Sequence, residues 1–375
     1  MPPRLLRRTL LAAGLSTPLW PALGQTGPDS DGAPKPANAL PHRTLVFPRD
    51  LGSHPEFAIE WWYITGHLRS GAHAEAREFG FQLTFFRSRV AATQGLHSAF
   101  AAKQLLFAHA AVTDVAGKRL LHDQRIARAG FDVAQASDTD TTVTLRDWSL
   151  VHNNGLYQAD VKGEDFQYSL ALTETQPLLL QGSQGLSRKG PDPAQASYYY
   201  SLPQLKTTGN LKVGGQSWSV EGTAWLDHEW SQALMPPQAV GWDWMGMNLR
   251  DGSALTVFRL RDKDGQAVWA GGSFRSASAS GQTATRIFKQ DEVQFTALRR
   301  WKSPLSQADY PVEWTVRTPS ATYTVKAVLD NQELDSRNST GAIYWEGLSV
   351  LLDAQGQALG RGYLEMTGYA QALRL

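Results

Sequence analysis

The chain has 375 residues, a formal net charge of +1 and no cysteine. A near-neutral balance excludes the basic footprint of a nucleic-acid binder, and the missing thiols exclude disulfides, thiolate metal sites and a cysteine nucleophile. With 33 Gly, 19 Pro and 13 Trp, the composition predicts many turns between aromatic-rich strands, and the length predicts about two domains of roughly 150 residues each.

The first element reads as an export signal. Arg4, Arg7 and Arg8 precede a short apolar run, Leu10 to Leu15, and Ala22-Leu23-Gly24 ends the segment with a small-x-small pattern. This predicts a signal peptide over residues 1–24, of twin-arginine type from Arg7-Arg8, and a periplasmic or secreted protein. Residues 25–42 are rich in Gly, Pro, Asp and Ala and read as a flexible leader. No later stretch reaches the roughly 18 consecutive apolar residues of a membrane span.

From there strand signals dominate. Short β-branched or aromatic runs recur from 59–68 and 79–86, through 105–113, 142–151, 156–161, 166–173, 209–213 and 217–226, to 242–249, 253–261, 266–270, 311–317, 321–328 and 342–351. Gly214-Gly215, Asp251-Gly252 and Asp264-Gly265 sit between apolar flanks as hairpin turns. Residues 289–300 read as one short helix. Many short strands without alternating helices predict an all-β fold. A weak repeat relates Trp62 to Phe86 with Thr207 to Trp225: in both, a Gly-x-Leu strand meets a glycine turn and an aromatic strand. Read as the opening hairpins of two domains, these predict a boundary near residue 204, with domains 43–204 and 205–375.

Two runs carry chemistry. One is Glu60-Trp61-Trp62-Tyr63-Ile64-Thr65-Gly66-His67-Leu68; the other is Trp225-Leu226-Asp227-His228-Glu229-Trp230-Ser231, followed by Trp242-Asp243-Trp244. A carboxylic acid in an apolar pocket keeps its proton near neutral pH, and indole faces stabilise a developing cation. Asp227 or Asp243 is thus a candidate acid and His228 a candidate proton shuttle. The structural alternatives are a Trp pair packed in a core, a surface turn at Asp227-His228-Glu229, and Glu60 paired with Arg87 or Arg188. His54 and His67 read as structural contacts. No Gly-x-Ser-x-Gly elbow occurs, and His228-Glu229-Trp230-Ser231-Gln232 falls short of His-Glu-x-x-His. A metal on His228 and carboxylates stays open without a ligand count; the expectation is no metal and no cofactor.

Glu60-Trp61-Trp62-Tyr63, Gly66-His67-Leu68 and Phe79 to Arg87, with Ser187-Arg188-Lys189-Gly190, Tyr198-Tyr199-Tyr200-Ser201, Gly222 to Ser231 and Gly241-Trp242-Asp243-Trp244, resemble the carotenoid 1,2-hydratase (CrtC/AttH-like) family over about residues 45–370. The resemblance implies a tandem of two lipocalin-like β-barrel domains. It implies a secreted bacterial protein, in a family whose genes in some cases lie beside exporter genes, so that an envelope transporter is an expected partner. Hydratase members add water to the terminal double bond of an acyclic carotene, without metal or organic cofactor. The expected ligand is therefore apolar, a lipid or isoprenoid. Expected catalytic residues are Asp227, His228, Asp243 and Glu60; expected ligand contacts are Trp61, Trp62, Tyr63, Trp225, Trp230, Trp242, Trp244 and Tyr199. A carrier and an envelope scaffold are the alternative functions. One departure stands: the strand Ala254 to Leu260 has no acid before Asp262, where hydratases are expected to carry one. The sharpest expectation is that Glu60, Asp227, His228 and Asp243 converge on one cavity at a domain interface.

Overall fold

The computed structural model describes residues 40–71, 76–277 and 283–373. The expected export signal, and the leader up to residue 39, lie outside the described residues. Leu40 packs against the first core and the Tyr198 hydroxyl donates to the Pro41 carbonyl, so the fold begins before the expected residue 43.

Alternating apolar and polar residues build two antiparallel sheets, and the helical content of the described residues is three short 3₁₀ turns. With strands numbered in chain order, the first sheet begins with β4 (Arg119–Arg128), β3 (Gln104–Asp114), β2 (Arg77–Arg89) and β1 (Ile59–Ser70). It continues through β13 (Gln216–Ala233), β12 (Ala196–Val213), β9 (Phe166–Thr173), β8 (Leu156–Lys162), β7 (Trp148–Asn153), β6 (Thr142–Leu145) and β5 (Ala134–Ala136). Two short strands, β10 (Leu179–Leu180) and β11 (Leu186–Arg188), pair with β12. Contact between β4 and β6 nearly closes this sheet into a barrel.

The second sheet begins with β17 (Thr285–Phe288), β16 (Ala267–Arg275), β15 (Ala254–Arg261) and β14 (Gly241–Leu249). It continues through β23 (Ala358–Met366), β22 (Ala342–Leu352), β20 (Thr322–Ala327), β19 (Asp309–Arg317) and β18 (Gln294–Lys302), with β21 (Glu333–Ser336) beside β22. Both sheets follow one plan: a four-stranded meander, then a second meander whose last strand returns to the first, β13 to β1 and β23 to β14.

Three expectations change here. The hairpin β12–β13 closes the first sheet, and it is β14–β15 that opens the second; the glycine turn with its neighbouring leucine was too generic to mark a domain start. Residue 204 lies inside β12, at a bulge between Leu202 and Leu205, and the change of sheet comes between Ala233 and Gly241. Residues 289–300 form a 3₁₀ turn, Gln290–Glu292, and then β18; Phe295 and Trp301, which pack on the second core, are spaced evenly as a strand requires. The Gly214-Gly215 hairpin holds, with φ of +55° and +83° that L side chains rarely adopt.

The true repeat is visible in register. Glu60 stands opposite Arg87 and Trp61 opposite Phe86 across β1–β2; Asp243 stands opposite Arg259 and Trp244 opposite Phe258 across β14–β15. Strand alternation then makes three main cores and one small cluster, Ala111 with Leu334 and Tyr344. Trp62, Ile64 and Leu68 face the interior of the first sheet, and Met245, Met247 and Leu249 that of the second. Tyr63, Trp225, Trp244 and Phe258 fill the space between the sheets. There β1 touches β23 and β13 touches β14, the reciprocal pairing of an internal two-fold.

Candidate functional site: an acid-lined cavity between the sheets

Successive residues of a strand point to opposite faces, so Asp227 and His228 cannot serve one pocket. His228 turns inward, into the first barrel, where it meets Glu60. Both are fully buried, as is His54 from the segment ahead of β1. Glu60 Oε1 lies 2.7 Å from His54 Nδ1 and 3.0 Å from His228 Nε2, while Oε2 accepts from Arg87 Nε at 2.7 Å and Ser53 Oγ at 2.9 Å. His54 Nε2 reaches Asp50 at 2.9 Å, and its ring stacks on Trp230 at 3.8 Å.

Burial alone would raise the Glu60 pKa, but hydrogen bonds from His228 and His54 outweigh it and hold the carboxyl well below the usual range. Burial likewise opposes a charge on His54, and Asp50 and Glu60 overcome it, raising its pKa. For His228 burial wins, and its pKa falls to about 4. A neutral His228 donates from Nε2 to Glu60 and accepts the Tyr200 hydroxyl at Nδ1, 2.9 Å away. The donor set His54, Glu60 and His228 is of metal-ligating type. Its spacings, however, are those of hydrogen bonds, and Arg87 already supplies a cation to the carboxylate. The expected Glu60–Arg87 pair is thus present.

Asp243 is elsewhere again. It is fully buried inside the second sheet, bound by Arg259 Nε at 2.7 Å and the Tyr369 hydroxyl at 2.9 Å. The four expected catalytic residues therefore do not share one site: Glu60 and Asp227 both border the space between the sheets, but the Glu60 carboxyl is bound with His228 on the barrel side, and Asp243 lies inside the second sheet.

That space holds a cavity of about 260 Å³. Trp61, Tyr63, Phe86, Phe107, Trp242, Trp244 and Phe258 contribute aromatic wall, and Asp227, Glu229, Glu346, Glu365 and Lys189 line it as well. Register explains the convergence: Tyr63 opposes Asp227 and Trp61 opposes Glu229 in the first sheet, while Trp244 and Glu346 both flank Glu365 in the second.

Asp227 accepts from the Tyr199 hydroxyl and Ser201 Oγ, each at 2.6 Å, and from Trp225 Nε1 at 2.7 Å. Burial still dominates these three bonds and pushes its pKa up to about 7, with Glu229 adding repulsion. Glu346 is raised well above the carboxylate range by burial and by Glu365 directly across the strand pair. Glu365, which accepts the Trp242 indole N–H at 2.9 Å, is raised too, chiefly by burial. Glu346 Oε1 and the neighbouring Tyr63 hydroxyl are buried without a hydrogen-bond partner among the described residues. Glu229 differs: it is salt-bridged to Lys189 at 2.9 Å and accepts the Ser197 hydroxyl. Lys189 Nζ also lies over the Tyr199 and Phe258 rings, 4.7 and 4.3 Å from their centroids.

Of the expected ligand contacts, Trp61, Tyr63, Trp242 and Trp244 line the cavity, while Trp225 and Tyr199 stand behind it as donors to Asp227. Trp62 and Trp230 face the first barrel's interior. Sequence reasoning missed Glu346 and Glu365. Each is a lone acid inside an apolar strand, Tyr344-Trp345-Glu346-Gly347-Leu348 and Tyr363-Leu364-Glu365-Met366, and a buried charge at such a place is the signal that finds them.

Two barrel-like sheets joined by an acid-lined, aromatic-walled interface define the class of protein. The AttH-like family model matches residues 38–369, and the chain belongs to that family. A crystal structure assigned to AttH in Nitrosomonas europaea is 46% identical, with a TM-score of 0.80 over 89% of this chain and 99% of that one. Kievitone hydratase from Nectria haematococca matches at 12% identity and TM-score 0.66, over 88% of this chain and 94% of its own. CghA matches at 12% identity and TM-score 0.52, over 85% and 90%. These last two share the fold. A search of curated proteins found no match.

Proposed function

We propose that the inter-sheet cavity adds water to, or removes it from, an unsaturated apolar molecule of lipid or isoprenoid type. One observation carries the reading: Asp227, Glu346 and Glu365 are all driven toward their protonated forms beside aromatic walls. In the addition, the protonated carboxyl of Glu346 gives its proton to one alkene carbon. The cation left on the other carbon faces the Trp61 and Trp244 rings. A water oxygen bonds to it, and the water's surplus proton passes to Glu229 and on to the Glu346 carboxylate, restoring the site. The fold shared with a hydratase supports this reading. Elimination is the same path reversed.

The second reading is a carrier that hands its ligand to an envelope transporter, favoured by the aromatic walls alone. Purified protein is incubated with an acyclic terpenoid in ¹⁸O-labelled water and the products are weighed. A labelled alcohol that disappears with Glu346→Gln supports the enzyme; unchanged ligand recovered from the protein supports the carrier. A cavity that neither turns over nor retains any apolar molecule sinks both.

A further inference from the structure

Residues 90–103 join β2 to β3, and residues 129–133 join β4 to β5. Both connections lie at the end of the first sheet where Ile59, Ser88 and Phe107 line the cavity. Large apolar side chains should be buried here, yet Phe100 is 74%, Phe131 54% and Leu96 51% exposed. The two phenyl rings stack with centroids 5.6 Å apart. The Arg128 guanidinium sits 3.9 Å from the Phe131 centroid and 5.6 Å from that of Phe100.

Phe131 also has φ of +59°, in the left-handed region that a bulky side chain avoids. The other positive-φ side chains among the described residues, such as Lys118, Arg146 and Gln307, are polar; here the position carries a large apolar ring. Backbone strain therefore holds an aromatic ring out in water, and strain of this kind is retained where it serves a use. Charge adds a second observation. The stretch from Val90 to Lys103 contains neither Asp nor Glu, Arg89 and Lys103 stand at its two ends, and Arg128 lies against the rings with Asp132 next to Phe131 in sequence.

The geometry points to an anchor for an anionic bilayer surface. Leu96, Phe100 and Phe131 enter the boundary between headgroups and acyl chains, and Arg128, Lys103 and Arg89 meet the lipid phosphates. Arg128 suits this position because its guanidinium lies over the Phe131 ring and so carries a positive charge beside the inserted aromatics. The anchor stands on the tip alone. Its consequence, that an apolar substrate passes from bilayer to cavity without crossing water, rests on the reading of the cavity proposed above.

The test is co-sedimentation of the full chain with vesicles of phosphatidylcholine and phosphatidylglycerol. Wild type should pellet at low ionic strength, and less with phosphatidylcholine alone. Phe100→Ala combined with Phe131→Gly should weaken partitioning by at least about tenfold. The melting temperature should not fall, because glycine accepts the positive φ without strain. A second probe uses the absence of native cysteine: Ser98→Cys carrying an environment-sensitive dye should shift to the blue on adding these vesicles. Wild type that stays in the supernatant, a double variant that pellets equally, or a dye that does not respond overturns the anchor. None of these readouts depends on turnover, so the anchor and the hydratase reading fail separately.

Discussion

Asp227 receives three hydrogen bonds that favour its anion, yet burial keeps its proton on up to about 7. A carboxyl whose folded pKa exceeds its unfolded value contributes stability that is full below about 4 and is lost as pH rises through about 7. Asp227→Asn should therefore flatten the fall in melting temperature between about pH 4 and pH 8; an unchanged profile would mean that Asp227 is ionised throughout. Glu346 makes the functional prediction. Glu346→Gln keeps its shape and removes the proton, so turnover should drop roughly 10²–10⁴-fold, read as kcat on an acyclic terpenoid. Ligand retention should be kept. Asp227 was legible in the sequence because Trp residues surround it locally. Glu346 was not, because what raises its pKa is burial between the sheets and then Glu365, which the fold brings opposite it from another strand.

Strand β13 shows how one element serves two purposes. Its even-numbered residues, Leu226, His228 and Trp230, complete the first barrel, and Trp225, Asp227 and Glu229 build the cavity. His228 thus belongs to the scaffold. His228→Ala removes one of several donors to Glu60 and leaves the Tyr200 hydroxyl without its acceptor, at roughly 1–3 kcal/mol for the group left unsatisfied, measurable by urea denaturation. Turnover per folded molecule should stay near wild type; a loss of turnover without a loss of stability would return His228 to the active site. The sequence runs placed most strands correctly, because period-two alternation is local. Assigning faces was harder. A charged residue beside tryptophans looks the same whether it closes a barrel or lines a pocket, and only the register of β1, β13 and β23 tells them apart.

At the scale of the molecule, all-β architecture and family were legible from several motifs in order, whereas the sheet boundary was not. Strands β12 and β13 each run 18 residues, and the boundary read from the repeat near residue 204 falls at a bulge within the first of them. The cavity itself joins Asp227 and Glu229 to Glu346 and Glu365 across long sequence separations, which no local pattern encodes. We propose export as the whole-chain property that the N-terminal arginines imply. Replacing Arg7 and Arg8 by Lys should leave precursor in the cytoplasm, visible by fractionation and immunoblotting; normal export of that variant would refute the twin-arginine route.

The paired plan of the two sheets bears on the direction of the proposed hydration. A single such sheet meeting its own copy about a two-fold would present every side chain twice, with the same acid on both walls. Adding water across a double bond is directional: one carbon takes a proton and the other takes oxygen. Two identical walls have no built-in way to tell those carbons apart. Joining the copies in one chain frees each wall to diverge. Here one wall holds the facing Glu346 and Glu365, while the other holds the hydrogen-bonded Asp227 and the lysine-paired Glu229. The difference between the two walls is thus what gives the chamber a front and a back.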